Sequence, residues 1–206
     1  MSKYLNTKEK ERIKKKIESI EAKSSAEIVV AVTQYAKRYG YLTFAYTFVF
    51  TLIFAFLYTV LGFEIQSQLF VEIVVATYLF IYFILTNTVL MSKIVPKSIT
   101  QKRCEELALS QFMKSGVDKT ANHKAILIFV CFQSKYIRVV ADKEIDKVVS
   151  DDTWHNIVKS FIQRAKEDKI ADGILEIVDS CGEILIKNFP RDKESKDELS
   201  NEVIEV

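Results

Sequence analysis

The sequence predicts an α/β domain, a small sheet sandwiched by helices, that is interrupted by a two-helix transmembrane hairpin. Two long apolar runs, residues 41–63 and 69–91, lie side by side in an otherwise charged chain. Short β-branched runs before and after them predict strands, and amphipathic stripes predict helices packed on a sheet. These patterns divide the chain into four predicted segments. Residues 1–36 form the first part of the α/β domain, 37–93 the hairpin, 94–190 the rest of the domain and 191–206 a disordered acidic tail.

The first segment predicts a helix followed by a strand. Asn6 and Glu9 have the spacing of a helix cap pair, and an isoleucine stripe at positions 13, 17 and 20 follows them. The lysines around this stripe favour either attraction to anionic lipid or an ordinary solvated face balanced by nearby acids. Residues 27–32 are short, apolar and β-branched, which predicts a buried strand.

The two apolar runs each contain about 23 residues, enough for a helix to cross a hydrocarbon core about 30 Å thick. Five residues, 64–68, join them and predict a tight turn. A pair of buried helices in a soluble core is the alternative, but the runs lack the polar stripe of a water-facing helix. We therefore expect a membrane-spanning hairpin.

Flanking cations predict the orientation of the hairpin in the membrane. Lys37 and Arg38 precede the first run, Lys93 and Lys97 follow the second, and the turn contains no cation. The positive-inside rule places the turn outside and both termini in the cytoplasm, as in a two-helix protein of a bacterial-type inner (cytoplasmic) membrane. Glu72, one turn inside the second run, is either a snorkelling acid at the interface or a functional carboxylate.

The remainder of the domain follows the hairpin. A helical stripe ends at Gly116, residues 125–132 form the strongest predicted strand, and residues 136–140 predict its antiparallel partner. Two amphipathic helices close the domain, one carrying Trp154 and the other ending before Pro190.

Short stretches in this part of the chain resemble a known family. They are SAEIVV at 25–30, ALSQF at 108–112, TANHKAILI at 120–128, YIRVVADKEI at 136–145, Trp154, and NFP at 188–190. In this order they resemble the TPM domain, which occurs in bacterial proteins and in the thylakoid lumen phosphatase-like proteins of photosystem II repair. The resemblance implies a small sheet flanked by helices.

The resemblance also implies acid phosphatase activity, divalent-cation binding or an accessory role in maintaining membrane complexes. This chain departs from the family pattern at two glycines, which are replaced by Lys124 and Glu144. A loop that binds an ion or a phosphate through backbone N–H groups loses conformational freedom when glycine is replaced.

Carboxylates near the predicted strand ends are the candidate metal ligands. Asp142, at the end of an apolar strand, is the best placed, and Glu27, Asp146 and Asp172 complete the candidate set for Ca²⁺ or Mg²⁺. The alternatives are helix caps and solvated charges. The sequence contains no EF-hand, P-loop or zinc signature.

Two functions remain open. The first is a membrane-anchored, non-catalytic interaction or accessory module, whose partners are the lipid bilayer and another membrane protein or complex. The second is a TPM-type phosphatase with an acidic, metal-assisted site. The formal net charge of +2 gives no argument for nucleic acid as a partner.

Overall fold

The computed structural model describes residues 5–34, 40–64, 66–87, 94–150, 152–154, 156–159, 170–192 and 197–206. The chain divides into two compact units. One comprises residues 1–36 and 100–206, and the other comprises residues 37–99. The two apolar runs belong to the second unit.

The helices and strands are, in chain order, α1 (Thr7–Glu21), β1 (Glu27–Thr33), α2 (Gly40–Val60), α3 (Ser67–Asn87), α4 (Lys97–Lys114), β2 (Ala125–Cys131), β3 (Tyr136–Ala141), the one-turn helix α5 (Lys143–Asp146), α6 (Ile170–Asn188) and β4 (Ile204–Glu205). Residues 152–154 and 156–159 are also helical. At the start of α1, the Asn6 side chain accepts the Glu9 N–H at 2.9 Å and the Glu9 side chain accepts the Asn6 N–H at 2.6 Å. The predicted cap pair is therefore confirmed.

Four strands form one sheet in the order β3-β2-β1-β4. β1 and β2 run parallel, with Glu27 opposite Ala125, and β2 and β3 form the predicted antiparallel hairpin, with Ile126 opposite Ala141. Every residue of the two central strands is buried. Helices cover both faces of these strands, which explains their unbroken apolar sequences.

Alternate strand residues pack into two cores, one on each face of the sheet. On one face, Ile28 and Val30 pack with the apolar stripes of α1 and α6. On the other face, Val29 and Leu127 pack with residues of α4. The prediction of a small sheet sandwiched by helices is confirmed.

The contact between α1 and α6 is close. A Cβ atom added to Gly182 of α6 would lie 2.4 Å from Cδ1 of Ile20 of α1. Because real Cβ atoms do not approach carbon so closely, the absence of a side chain at Gly182 sets the separation of the two helices.

The prediction of a disordered tail needs correction for residues 197–206, which we call the acidic segment. It forms β4, whose Ile204 and Glu205 lie parallel to Ala31 and Val32 of β1. Leu199 and Ile204 pack against the core on the α4 face. The segment has too few apolar residues to fold alone, but it can complete the edge of an existing sheet.

In the second unit, α2 and α3 are each 21 residues long and apolar enough to cross a membrane. Their large side chains are exposed, with Phe56 at 67% and Leu79 at 59%. The buried residues of α2 are three threonines spaced by four, at positions 43, 47 and 51. Rings of Phe44 and Tyr78 contact each other edge to face across the pair, 6.3 Å apart.

The structure shortens the first predicted run at its end and leaves the end of the second run untested. α2 begins at Gly40 and ends at Val60, three residues before the predicted end. The predicted residues 88–91, like the proposed anchors Lys37, Arg38 and Lys93, lie outside the described residues. The fourth anchor, Lys97, is the exposed first residue of α4.

Candidate functional site

The candidate site lies at the end of the sheet where β1 and β2 begin and β3 ends. Glu27 is opposite Ala125 in the ladder, and the Asp142 N–H donates to the Ala125 carbonyl at 2.9 Å. Paired residues on neighbouring strands point to the same face of a sheet. Glu27 and Asp142 therefore share the α4 face, with two strand spacings, about 10 Å, between their backbones.

Asp142 is a buried carboxylate paired with a histidine. Its Oδ2 lies 2.9 Å from Nδ1 of His123, and its Oδ1 accepts the Lys143 N–H at 2.7 Å, which caps α5. The Asp142 side chain is 5% exposed, whereas that of His123 is 43% exposed. A carboxylate at Nδ1 fixes the orientation of the ring and leaves Nε2 for a proton or a ligand. The pair can therefore orient a proton-transfer group at the surface.

The Glu27 carboxylate binds the backbone of the acidic segment. Its Oε1 accepts the Glu198 N–H at 2.9 Å, and its Oε2 accepts the Leu199 N–H at 3.1 Å. Burial raises the pKa of Glu27, the two hydrogen bonds oppose that rise, and the negative charges of Asp197 and Glu198 add to it. Both carboxylate oxygens are thus engaged in binding backbone N–H groups.

The other two candidate ligands, Asp172 and Asp146, do not lie on the strand ends that carry Glu27 and Asp142. Asp172 lies in the first turn of α6, the helix on the opposite face, and its Oδ1 is 3.5 Å from a guanidinium nitrogen of Arg12. Asp146 is an exposed residue of α5. Across the described part of the chain, no three His, Cys, Asp or Glu side chains group closely enough to hold a metal ion. The four predicted carboxylates therefore do not form a convergent ligand set.

A family model described as the TPM domain matches residues 86–184. The chain contains a TPM domain. The match confirms the resemblance for the stretches between residues 108 and 154, which include His123 and Asp142, and the stretches at 25–30 and 188–190 lie outside it. Glu27, Glu21 and the acidic segment lie outside the matched residues of the TPM domain.

A solved structure supports the fold of this TPM-domain chain. The NMR structure of the BA42 protein from the psychrophilic bacterium Bizionia argentinensis has a TM-score of 0.62 and 19% sequence identity, covering 100% of this chain and 98% of that chain. At this identity the similarity concerns the fold alone. No curated protein matches the chain.

Sequence reasoning missed Glu21, at the end of α1. Glu21 is 3% exposed, its Oε1 accepts the Ile28 N–H at 2.9 Å, and its Oε2 has no hydrogen-bond partner within the described residues. Burial raises the pKa of Glu21 to about 8, against the Ile28 hydrogen bond, and the nearby charges of Glu27 and Asp197 raise it further. Its position four residues after Ile17, on the apolar stripe, was the available signal.

Sequence reasoning left His123 open between a loop residue and an acid. Its partner Asp142 lies 19 positions away along the chain, so no local spacing indicates the pair. His123 has a φ of 50°, a left-handed conformation that is uncommon for residues other than glycine. The turn between the 3-10 helix (Val117–Lys119) and β2 brings the ring to the buried carboxylate.

Proposed function

We propose that this TPM-domain protein is anchored in a membrane and acts as a non-catalytic interaction or accessory module at the cytoplasmic face. The observation that carries the proposal is the exposure of large apolar side chains on several sides of α2 and α3. A core helix of a soluble protein buries such side chains, and an exposed patch of this size is unfavourable in water. A bilayer provides the apolar surroundings that both helices need.

The orientation rests on the distribution of cations. Lys97, Lys102 and Arg103 follow the second helix, Lys37 and Arg38 precede the first, and residues 61–66 between them contain no cation. The positive-inside rule then puts both ends of the chain on the cytoplasmic side of a bacterial-type inner membrane.

A non-catalytic role is supported by what the carboxylates do. Glu27 binds the backbone of the acidic segment through both oxygens, and Asp172 pairs with Arg12. These contacts serve the fold and leave few acids for chemistry. The proposed partner is another membrane protein or complex, and nucleic acid is not expected.

Membrane fractionation tests the anchor. We expect the full chain to sediment with membranes and to resist extraction by alkaline carbonate, and a reporter fused after Val206 to be active only in the cytoplasm. Release by carbonate would contradict the anchor. A reporter active outside the cell would contradict the orientation alone.

Divalent-cation binding at Asp142, with Ca²⁺ or Mg²⁺, is kept as a separate proposal. A ligand that binds only the folded state must raise its apparent stability. We expect a titration with either cation to raise the melting temperature of the wild-type chain saturably and to leave Asp142→Asn unchanged. Equal responses of both chains would contradict a site at Asp142.

A second candidate function is phosphoester hydrolysis, which the His123–Asp142 pair favours. In this alternative Nε2 of His123 takes a proton from the water that attacks the phosphorus, Asp142 orients the ring, and the ester oxygen leaves with the alcohol. Hydrolysis of p-nitrophenyl phosphate that is lost in both His123→Asn and Asp142→Asn would favour it. Turnover that persists unchanged in both variants would indicate a contaminating enzyme.

A further inference from the structure

We propose that the outer edge of β1 is a strand-addition site, which the acidic segment fills, and that a partner protein inserts an extended acidic strand in its place. The inference rests on the proposed role as an interaction module and names the surface and the chemistry of the partner. Adding a strand to a sheet edge is a recurrent mode of peptide recognition.

The two sides of β1 are paired unequally. On the β2 side, seven residue pairs are in register, whereas on the β4 side two are. The short pairing is extended by the Val206 N–H, which donates to the Val32 carbonyl at 2.9 Å, and by the Thr33 hydroxyl, which donates to the Val206 carbonyl at 2.8 Å. A ladder this short is readily displaced by a longer strand.

Four polar contacts at this edge use the backbone of the acidic segment. Val206 contributes its N–H and its carbonyl, while Glu198 and Leu199 contribute their N–H groups to the Glu27 carboxylate. Because every non-proline residue carries these groups, another chain that adopts the conformation of the acidic segment can make the same hydrogen bonds. The edge can therefore bind a backbone of different sequence.

Side-chain charge supplies the selectivity. Lys10 lies 2.8 Å from Glu205 and Lys14 lies 3.7 Å from Glu202, so two lysines one turn apart on α1 face acids three residues apart. Partly exposed pairs of this kind steer association and choice of partner more than they contribute to affinity. Glu202 lies in a bend before β4, so a partner needs one acid in the strand at the Glu205 position and a second acid three residues earlier, before its strand begins.

The acidic segment does not satisfy this edge completely. The Asn201 side chain interacts with the Glu21 carboxyl group and lowers its pKa, whereas the atoms Asn201 Oδ1 and Glu21 Oε2 are buried with no hydrogen-bond partner among the described residues. Buried polar groups without partners weaken an interface. Asn201 already carries an amide donor, so an incoming side chain at this position gains an advantage by directing its donor onto Glu21 Oε2.

A charge-exchange experiment on the full chain in detergent tests the proposal. The probe is a fluorescent peptide with the sequence of residues 197–206, and binding is followed by anisotropy. The double substitution Glu202→Lys/Glu205→Lys in the chain places lysines of the resident segment next to Lys10 and Lys14. The like charges then repel the resident segment from α1. We expect this variant to bind the peptide on the order of tenfold more tightly than the wild-type chain, whose own segment competes from the same molecule.

Two controls define the mode of binding. A peptide with proline at the Val206 position lacks the N–H donor and should bind weakly. The Lys10→Glu/Lys14→Glu chain should prefer a peptide with lysines at the two glutamate positions. If the chain with lysines at positions 202 and 205 does not fold, Glu202→Gln/Glu205→Gln removes the two ion pairs of the resident segment and leaves the peptide's contacts unchanged. Equal binding of the proline peptide, or no saturable binding to any folded variant, would overturn the proposal.

The outcomes also separate this inference from the proposed anchor. A carbonate-resistant chain that binds no peptide overturns strand addition and leaves the anchor standing. A carbonate-released chain that binds the peptide overturns the anchor and supports strand addition. Cross-linked dimers of the wild-type chain with exchanged segments would make a second copy the occupant and overturn the choice of a separate partner.

Discussion

Helices α3 and α6 have similar lengths, 21 and 19 residues, and both are rich in aliphatic side chains. The two helices differ in how many of these side chains are buried. α6 buries one stripe that includes Ile174, Ile177 and Leu185 against the sheet, and it places Asp179 among the exposed residues. α3 is apolar around its circumference, and Leu85 is its buried residue. A one-sided stripe indicates a boundary between core and water, whereas an all-round apolar surface indicates apolar surroundings on every side.

Truncating one aliphatic side chain in each helix gives the largest expected difference. Ile177→Ala leaves a cavity in the core and should lower the free energy of unfolding of the domain by about 2–5 kcal/mol. Leu79→Ala removes an exposed side chain and should leave that value unchanged. Denaturant unfolding followed by the fluorescence of the single tryptophan, Trp154, measures both. Equal losses would contradict the contrast between the helices.

Introducing a charge distinguishes lipid from water around α3. Leu79→Arg should oppose membrane insertion by about 2.5–3.5 kcal/mol near the helix centre. Met113→Arg is the matched control, because Met113 is 58% exposed on α4 and Leu79 is 59% exposed. We expect the membrane-bound fraction to fall only for Leu79→Arg. An unchanged fraction in both variants would place α3 outside the bilayer.

The buried acid of α1 predicts a pH dependence that is confined to the domain. The pKa of Glu21 is about 8, above its ordinary 4.5, so the folded state retains a proton that the unfolded state loses. The resulting stability is complete below pH 4.5 and is lost as the pH rises through about 8. The free energy of unfolding should fall by about 2–3 kcal/mol between about pH 5.5 and pH 7.5.

The control for this prediction is Glu21→Gln, which keeps the size of the side chain and cannot ionise. Its stability should vary less over the same range, and the difference between the two slopes isolates Glu21. Parallel curves for the wild-type chain and the variant would show that another group causes the dependence.

Glycine substitutions give the smallest predicted effect. Gly182→Ala forces the new Cβ against Ile20 and should cost about 1–2 kcal/mol, because an overpacked contact must shift neighbouring atoms. At Gly40, the first residue of α2, a Cβ meets no atom within 4 Å, so Gly40→Ala should be neutral. Melting temperatures of the two variants measured side by side test this. A neutral Gly182→Ala would mean that α1 and α6 can separate slightly without loss.

Periodicity predicted the main helices and strands, because burial on one or both faces leaves a direct mark on the sequence. The stripe at Ile13 and Ile17 indicated α1, and the unbroken run of β2 indicated a central strand. β4 left no such mark. It consists of two residues, Ile204 and Glu205, whose conformation is determined by the free edge of β1 rather than by their own pattern.

The candidate site was predicted less completely, because its contacts join residues far apart in sequence. Asp142 was identified from its position after a strand, but its pairing with His123 depends on a turn that no motif marks. Glu27 was identified as an acid at a strand end, whereas its binding of the Glu198 and Leu199 N–H groups depends on the fold. Asp172 was grouped with them although it lies on the helix of the opposite face.

The parallel pairing of β1 with β2 has a consequence for how the protein is made. Ile28 and its partner Ile126 are almost a hundred residues apart, and the two apolar helices lie between them. During translation β1 leaves the ribosome well before β2, so its seven buried residues wait without a neighbour while the intervening segment is synthesised. Contacts of such long sequence separation make folding slow. Early binding of the β1 segment by a chaperone would therefore protect the nascent chain from aggregation.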